Sequence, residues 1–572
     1  MSAAPLSALT LAAALTWLDP SAVRPGQRGV CITEWSAGER IEVPVEVVGV
    51  LDPTAPDRSA VLVRLLDERF RESGIVAGMS GSPVYIDGTL LGALAFGWEF
   101  AREPLGGVTP FTAMRELAGG GTAPAGSAPT LAQLAALPTG TGEPMAALPT
   151  LPRVPGLAPR TVALAGLPLP GSFDPLARAG LATVPAGTSP EVDGVPEAGE
   201  MAAALLVWGD ATLAAAGTVT ARDGNRLYTF GHALFALGPV RLPAARAKVL
   251  AVQRSFQNSF KLFAVGKPFG TFVADRPAGM LAEVGTPPDG LAVAVRVREP
   301  MGDRQWNFRV AEVPILQPLM VAFLANSCLT ARGAGAGEAS VRLDAAIEFA
   351  DGRRLALRQA VRSADAVPRM ASYVGTVVAM LAGSPFPHPA LRRIELLLDR
   401  EERPTGLTVS EALPAVTTVA PGEEVAVHLR LQPHLETPRS LTLKVRVPPQ
   451  TPPGPLDLIV ADGAAWTEYR IKAEGLAPAS FVDLLALLGG LDSATTLVLA
   501  LESRERGVAQ PGVSQPALPP SWGATLATGL GPRNVQRLAT AIVTTTRWEA
   551  GVPLEGAFRF PLTVRPGRWE KP

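Results

Sequence analysis

Apolar residues recur at every second position in one short segment after another. In "RIEVPVEVVGVL" they place Ile41, Val43, Val45 and Val47 on one face, the period of a half-buried strand. "EEVAVHLRLQP" puts Val425, Val427, Leu429 and Leu431 on one side, and "SLTLKVRVPP" does the same with Leu441, Leu443, Val445 and Val447. Fifty-seven glycines and 56 prolines cut the chain into such pieces, and Asp-Gly pairs at Asp87-Gly88 and Asp223-Gly224 join neighbouring pieces as hairpins. A chain patterned in this way folds mainly as β.

Composition narrows the function classes. Hydrophobic residues at 47% against 18% charged describe packed domains, not a disordered chain. The net charge is -1 and no Lys/Arg block stands out, so no nucleic-acid partner is expected. Two cysteines (Cys31 and Cys328) and four scattered histidines make no metal-binding pattern. The cysteines are expected to be lone buried thiols, and no cofactor is expected. The apolar stretch from Leu6 to Leu18 resembles the core of a signal peptide, although no Lys or Arg precedes Arg24. Export to the periplasm, cell envelope or medium is the expectation. No later apolar run reaches 18 residues, so no transmembrane segment is expected.

The chain divides by pattern. Residues 1–23 form the signal-like segment and 24–117 a β lobe. Residues 118–158 are a Pro/Gly/Ala-rich linker with a short helix at "LAQLAAL". Residues 159–370 read as a second β lobe. A helix and an Ig-like β-sandwich fill 371–475, with "RRIELLLDRE" as its first strand, and an α+β extension fills 476–572. No sequence repeat relates the pieces. In the first lobe, "TPFTAMRELAGG" reads as a helix capped by Thr109 or Thr112.

One turn stands apart. Gly78-Met79-Ser80-Gly81-Ser82-Pro83 is a small-residue corner feeding an apolar strand. It is either a hairpin corner or a nucleophile turn. In the second case Ser80 attacks, and the N–H groups of Gly78 and Ser80 form the oxyanion hole. Gly81 and Ser82 then support the turn, with Ser82 as the alternative nucleophile. Such a serine needs a base. His428 lies on the outward face of its strand, and His388 and His434 lie in loops. His232, in "LYTFGHALFALGP", follows a strand and a glycine, which gives a general base fixed direction and access. The run "GAGAGE" lacks the Lys-Ser/Thr of a phosphate loop and reads as a plain loop.

Both contexts resemble one family. "ESGIVAGMSGSPVYIDGTLLGALAFGW" resembles the nucleophile segment of the SpoIVB-type serine peptidases of bacterial sporulation. "GTVTARDGNRLYTFGHAL" resembles their His segment, and "VGKPFGTFVADRPAGMLAEVG" resembles the glycine-rich run that follows. The resemblance covers about residues 24–116 and 205–290. It implies a chymotrypsin-like two-lobe, double β-barrel peptidase core acting on a protein or peptide substrate, with the C-terminal β-sandwich as an accessory region. The family's His segment precedes its Ser segment; here the order is reversed, so the core is read as permuted. By the same resemblance Asp67, thirteen residues before Ser80 in "VLVRLLDERF", is the acid that orients His232, with Asp275 as its rival. Self-cleavage within the linker is a further expectation. The competing reading is a catalytically silent peptidase-like scaffold that binds a protein or envelope component.

Overall fold

The computed structural model describes residues 15–51, 60–98, 101–118, 128–138, 143, 145–151, 160–169, 171, 173–189, 191–333, 337–402, 405–474, 478–503, 507–510, 513–515, 536–538 and 540–566. The protein is mainly β, as its alternation predicts. Strands β1 (Arg28–Ser36), β2 (Glu39–Leu51), β3 (Ala60–Leu65), β4 (Ser82–Ile86), β5 (Thr89–Phe96) and β6 (Leu105–Pro110) close an antiparallel barrel in the order β1-β2-β3-β6-β5-β4. Ile41, Val43, Val45 and Val47 all point into its core, beside Val61, Val63 and Val84. Asp87 and Gly88 both have positive φ and turn β4 into β5, as an Asp-Gly hairpin requires.

A second ring of six antiparallel strands follows. Strands β7 (Met201–Gly209), β8 (Thr212–Asp223), β9 (Arg226–Thr229), β10 (Gly238–Gln253), β11 (Phe260–Arg276) and β12 (Gly279–Val284) pair as β7-β8-β9-β12-β11-β10, and β10 returns to β7. Strand for strand, this is the order of the first barrel. The sequence shows no repeat because alternation specifies only which face is buried, and many different side chains satisfy it.

The second ring continues into a larger sheet. Strands β13 (Leu291–Arg298), β14 (Arg304–Val310), β15 (Ala339–Phe349), β16 (Arg354–Ser363) and β17 (Leu391–Glu401) extend it from β7 in the order β14-β13-β17-β15-β16. Helices α1 (Gln317–Thr330) and α2 (Ala366–Ala382) pack on this sheet and share its core. Two boundaries therefore move. Residue 370 lies inside α2, and "RRIELLLDRE" is β17, held between β13 and β15. Alternation identifies a strand but not its neighbours, which the long-range pairing decides.

The C-terminal region is a β-sandwich of four-stranded and five-stranded sheets around one core. Its strands run from Leu407–Pro414 to Ala557–Val564. The expected sandwich and the expected C-terminal extension thus contribute to one unit. Ser480 caps the helix Phe481–Gly489 by accepting from Asp483 N–H, and Gly490 ends it, as read from the sequence. Thr130 and Gln133 form a capping box on Leu131–Ala135. No helix among the described residues is long and apolar enough to cross a membrane. Most of the signal-like stretch lies outside the described residues. Its end does not: Trp17 bridges to Leu90, packs 6.1 Å from Phe111 and lies under the Arg115 guanidinium.

Candidate active site

Ser80 and His232 occupy the same place in their respective barrels. Ser80 lies in the connection from β3 to β4, and His232 in the connection from β9 to β10. Each connection is docked against a strand of the other barrel, the Ser80 turn on β8 and the His232 loop on β6. Ser80 carbonyl accepts from Thr218 N–H at 2.7 Å, Gly78 carbonyl from Thr218 Oγ1 at 2.9 Å and Gly81 carbonyl from Thr220 Oγ1 at 2.8 Å. From the other side, Thr109 Oγ1 donates to Gly231 carbonyl at 2.6 Å. Thr109 therefore ties the His232 loop to the first barrel instead of capping the helix at Phe111–Met114, whose N-cap is Pro110.

Glycine is required at two points of this junction. Gly81 has φ +98, and a Cβ there would stand 1.9 Å from Thr218 carbonyl oxygen. Gly231 has φ +67, and a Cβ there would stand 2.7 Å from Ala93 Cβ. Phe230, just before it, also has positive φ, at +66. A non-glycine residue held there stores strain of about 1–3 kcal/mol, a cost that clusters at functional sites. Its N–H is held by Thr218 carbonyl, and its ring meets the edge of His232.

Between the connections lies a cleft of about 160 Å³ lined by Gly78, Ser80, Phe230 and His232, with Arg160 and Trp98 on its walls. Ser80 Oγ donates to Ala95 carbonyl at 3.3 Å. Among the described residues, neither the N–H of Gly78 nor that of Ser80 has a protein acceptor, and both residues face the cleft. Gly78 adopts φ +96, in the left-handed region that favours glycine. Ser82 is buried; its hydroxyl meets Met79 carbonyl at 2.6 Å and Thr33 Oγ1 at 2.9 Å. It braces the turn and has no access to a substrate.

His232 is half-buried. Its Nδ1 lies 2.8 Å from Ala233 carbonyl, which fixes that nitrogen as the protonated one and leaves Nε2 with the lone pair. Burial, helped by the nearby Arg160 charge, holds its pKa below the usual 6.5. The ring is neutral at pH 7, as a base must be.

Asp67 is not brought to His232. It follows β3 and grips Arg69, with Oδ1 2.9 Å from Nε and Oδ2 2.6 Å from Nη2. That bidentate pair holds its carboxyl below the ordinary carboxylate range. Proximity in sequence to Ser80 does not place it in the cleft, because the chain turns through Arg69–Ser73 before reaching the serine. The carboxylate that serves the His232 loop is Asp275, at the end of β11. It is wholly buried and accepts the N–H groups of Leu234 at 2.6 Å, Phe235 at 2.7 Å and Leu237 at 3.4 Å. Burial raises its pKa, against these three bonds and the Arg160 charge. The sequence signal for it was an acid ending an apolar strand, and that signal was too general to rank it first.

The remaining histidines lie elsewhere. His428 meets Thr442 on the exposed side of the sandwich, and His388 stacks on Phe481. Part of "GAGAGE" (residues 334–336) lies outside the described residues. Cys31 and Cys328 are both free and buried, as expected. In comparisons with protein families, curated proteins and solved structures, no family model matches the chain and neither do any of the proteins or structures searched.

Proposed function

We propose that this protein is a serine peptidase built on two docked six-stranded barrels, chymotrypsin-like with the lobes in reversed order. The observation that carries the reading is the shared cleft: Ser80, Gly78 and a neutral His232 line it, and the N–H groups of Gly78 and Ser80 have no protein acceptor among the described residues. Resemblance of the Ser80 and His232 segments to the SpoIVB-type peptidases supports the same reading.

In this mechanism Ser80 Oγ leaves Ala95 carbonyl and turns its proton toward Nε2 of His232. The oxygen attacks a substrate carbonyl, and the charge that develops falls on the N–H groups of Gly78 and Ser80, which no protein acceptor among the described residues occupies. His232 then returns the proton to the leaving amine. Ala233 carbonyl supports the imidazolium through Nδ1–H, and Asp275 holds the backbone on which the ring stands. Asp67 has no part. Protein or peptide substrates come from the resemblance to the SpoIVB-type peptidases, and export and cutting within 118–158 remain part of the proposal. Much of that linker lies outside the described residues.

The test is labelling with a fluorophosphonate probe, mapped by mass spectrometry, on wild type, Ser80→Ala, Ser82→Ala and His232→Ala. Label on Ser80 that persists in Ser82→Ala but is lost in His232→Ala supports the reading. Because burial depresses the His232 pKa, labelling should hold to below pH 6.5 and then fall as the ring protonates. The silent-scaffold reading draws support from one feature: Ser80 and His232 bond to backbone carbonyls and not to each other. Folded wild type that takes no label at any pH would favour it.

A further inference from the structure

Behind the Ser80 turn lies a buried lysine that the proposed chemistry does not use. Lys261, on β11, is 2% exposed. Its backbone N–H donates to Ala77 carbonyl at 3.0 Å, and its stem runs alongside Gly78, where a Cβ would stand 3.1 Å from Lys261 Cδ. Its Nζ ends 2.9 Å from Thr33 Oγ1. Thr33 Oγ1 is 2.9 Å from Ser82 Oγ, which lies 2.6 Å from Met79 carbonyl. An ammonium can only donate and a carbonyl can only accept, so the two ends set the direction of the chain; Met79 carbonyl also accepts Ser82 N–H at 2.8 Å. Lys261 donates to Thr33, Thr33 to Ser82, and Ser82 to Met79 carbonyl.

Met79 carbonyl and Ser80 N–H belong to one planar peptide unit. A hydrogen bond accepted by the carbonyl polarises that unit and makes its N–H a stronger donor. We propose that Lys261 is a positioning residue for Ser80 N–H: its charge heads a buried relay through Thr33, Ser82 and Met79 carbonyl that polarises the N–H of this cleft-lining residue. The inference rests on the peptidase reading for its purpose, though not for its geometry.

The groups around the ammonium make it adjustable. Glu34 and Cys31, both on β1, are the ionisable groups that act on it, and Thr33 and Ser82 supply the hydroxyls. Glu34 is itself committed, accepting Val249 N–H at 2.6 Å and Met201 N–H at 3.2 Å across the barrel junction. It forms no ion pair within 4 Å of Lys261 among the described residues. Burial therefore prevails and brings the Lys261 ammonium down to about 7, with Glu34 and Cys31 opposing. Below that pH the relay begins at a charged donor. Above it the donor is neutral, and charge-assisted bonds are roughly twice as strong as neutral ones.

The sequence offers a clean reporter. Met-Ser occurs only at Met1-Ser2 and Met79-Ser80, so carbonyl-13C methionine with 15N serine reduces the NMR spectrum of the full chain to the Ser2 and Ser80 amides, and Ser80→Ala assigns the second. The expected result is a step in the Ser80 amide proton shift near pH 7, moving upfield as pH rises. It should persist in His232→Gln and vanish in both Lys261→Met and Thr33→Val, the second nearly isosteric. The fluorophosphonate rate below pH 7 should fall roughly tenfold in Lys261→Met as the donor weakens. A flat Ser80 shift in wild type, or a step that survives in Lys261→Met, overturns the relay. A step that behaves as expected in a protein that never takes the probe upholds the relay and overturns the peptidase.

Discussion

Asp275→Asn should be as damaging to the His232 loop as Asp275→Ala. The carboxylate accepts three N–H groups from Leu234, Phe235 and Leu237. It has no exposure to water, so any donor it releases is left unpaired. Asparagine can keep Leu234 on its oxygen, but its amide nitrogen then faces the N–H of Phe235, donor against donor. A charge-assisted bond contributes about 1.5–3 kcal/mol, and a buried unpaired donor costs about 1–3 kcal/mol. Two of the three bonds are short, so a local loss of about 3 kcal/mol is expected for either variant. In a chain with several units a global unfolding free energy is poorly defined, so the assay is hydrogen exchange of the segment 231–238. A loss of about 3 kcal/mol lowers protection roughly a hundredfold. Exchange at the sandwich strand Glu424–Pro433 should be unchanged. The His232-dependent labelling of Ser80 should fall with the loop's protection. Asparagine that retained protection within about fivefold of wild type would refute the reasoning, because a neutral amide would then satisfy the loop as well as a carboxylate.

Two further outcomes follow from the junction and the thiols. Gly81→Ala meets Thr218 carbonyl at 1.9 Å and keeps φ +98, so it should cost about 3 kcal/mol or more and separate the turn from β8; exchange of Thr218 N–H reads this directly. Cys31 is buried with its thiol pushed up to about 12, and the Cys328 thiol is likewise raised by burial. Neither should react with a thiol-disulfide reagent in the native protein, whereas both should react after denaturation.

The two residues that carry the site were legible because each announces itself locally. A serine between two glycines needs backbone angles that only glycine takes easily, and Gly78 and Gly81 take them. A histidine behind a glycine at a strand end is unusual among four, and the structure brings it to the same cleft. Asp67 was misleading for a physical reason: twelve residues of chain separate it from Ser80, and an arginine two positions on offered a nearer partner. Lys261 and Asp275 were equally visible as letters, but burial is a property of the assembled barrels and no local pattern reports it.

By itself the sequence determined the elements: period-two strands, Asp-Gly hairpins, the capped helix after Ser480, and a glycine turn able to present a serine. These depend on neighbours a few residues apart, whose geometry the backbone dictates. Only the tertiary structure decided that two unlike segments share one barrel order, that β17 belongs to the middle sheet, that Asp275 anchors the backbone of the His232 loop while Asp67 grips Arg69, and that Lys261 lies beneath the Ser80 turn. Each of those facts joins residues distant in the chain. They follow from which strands close on which and what that closure shuts away from water.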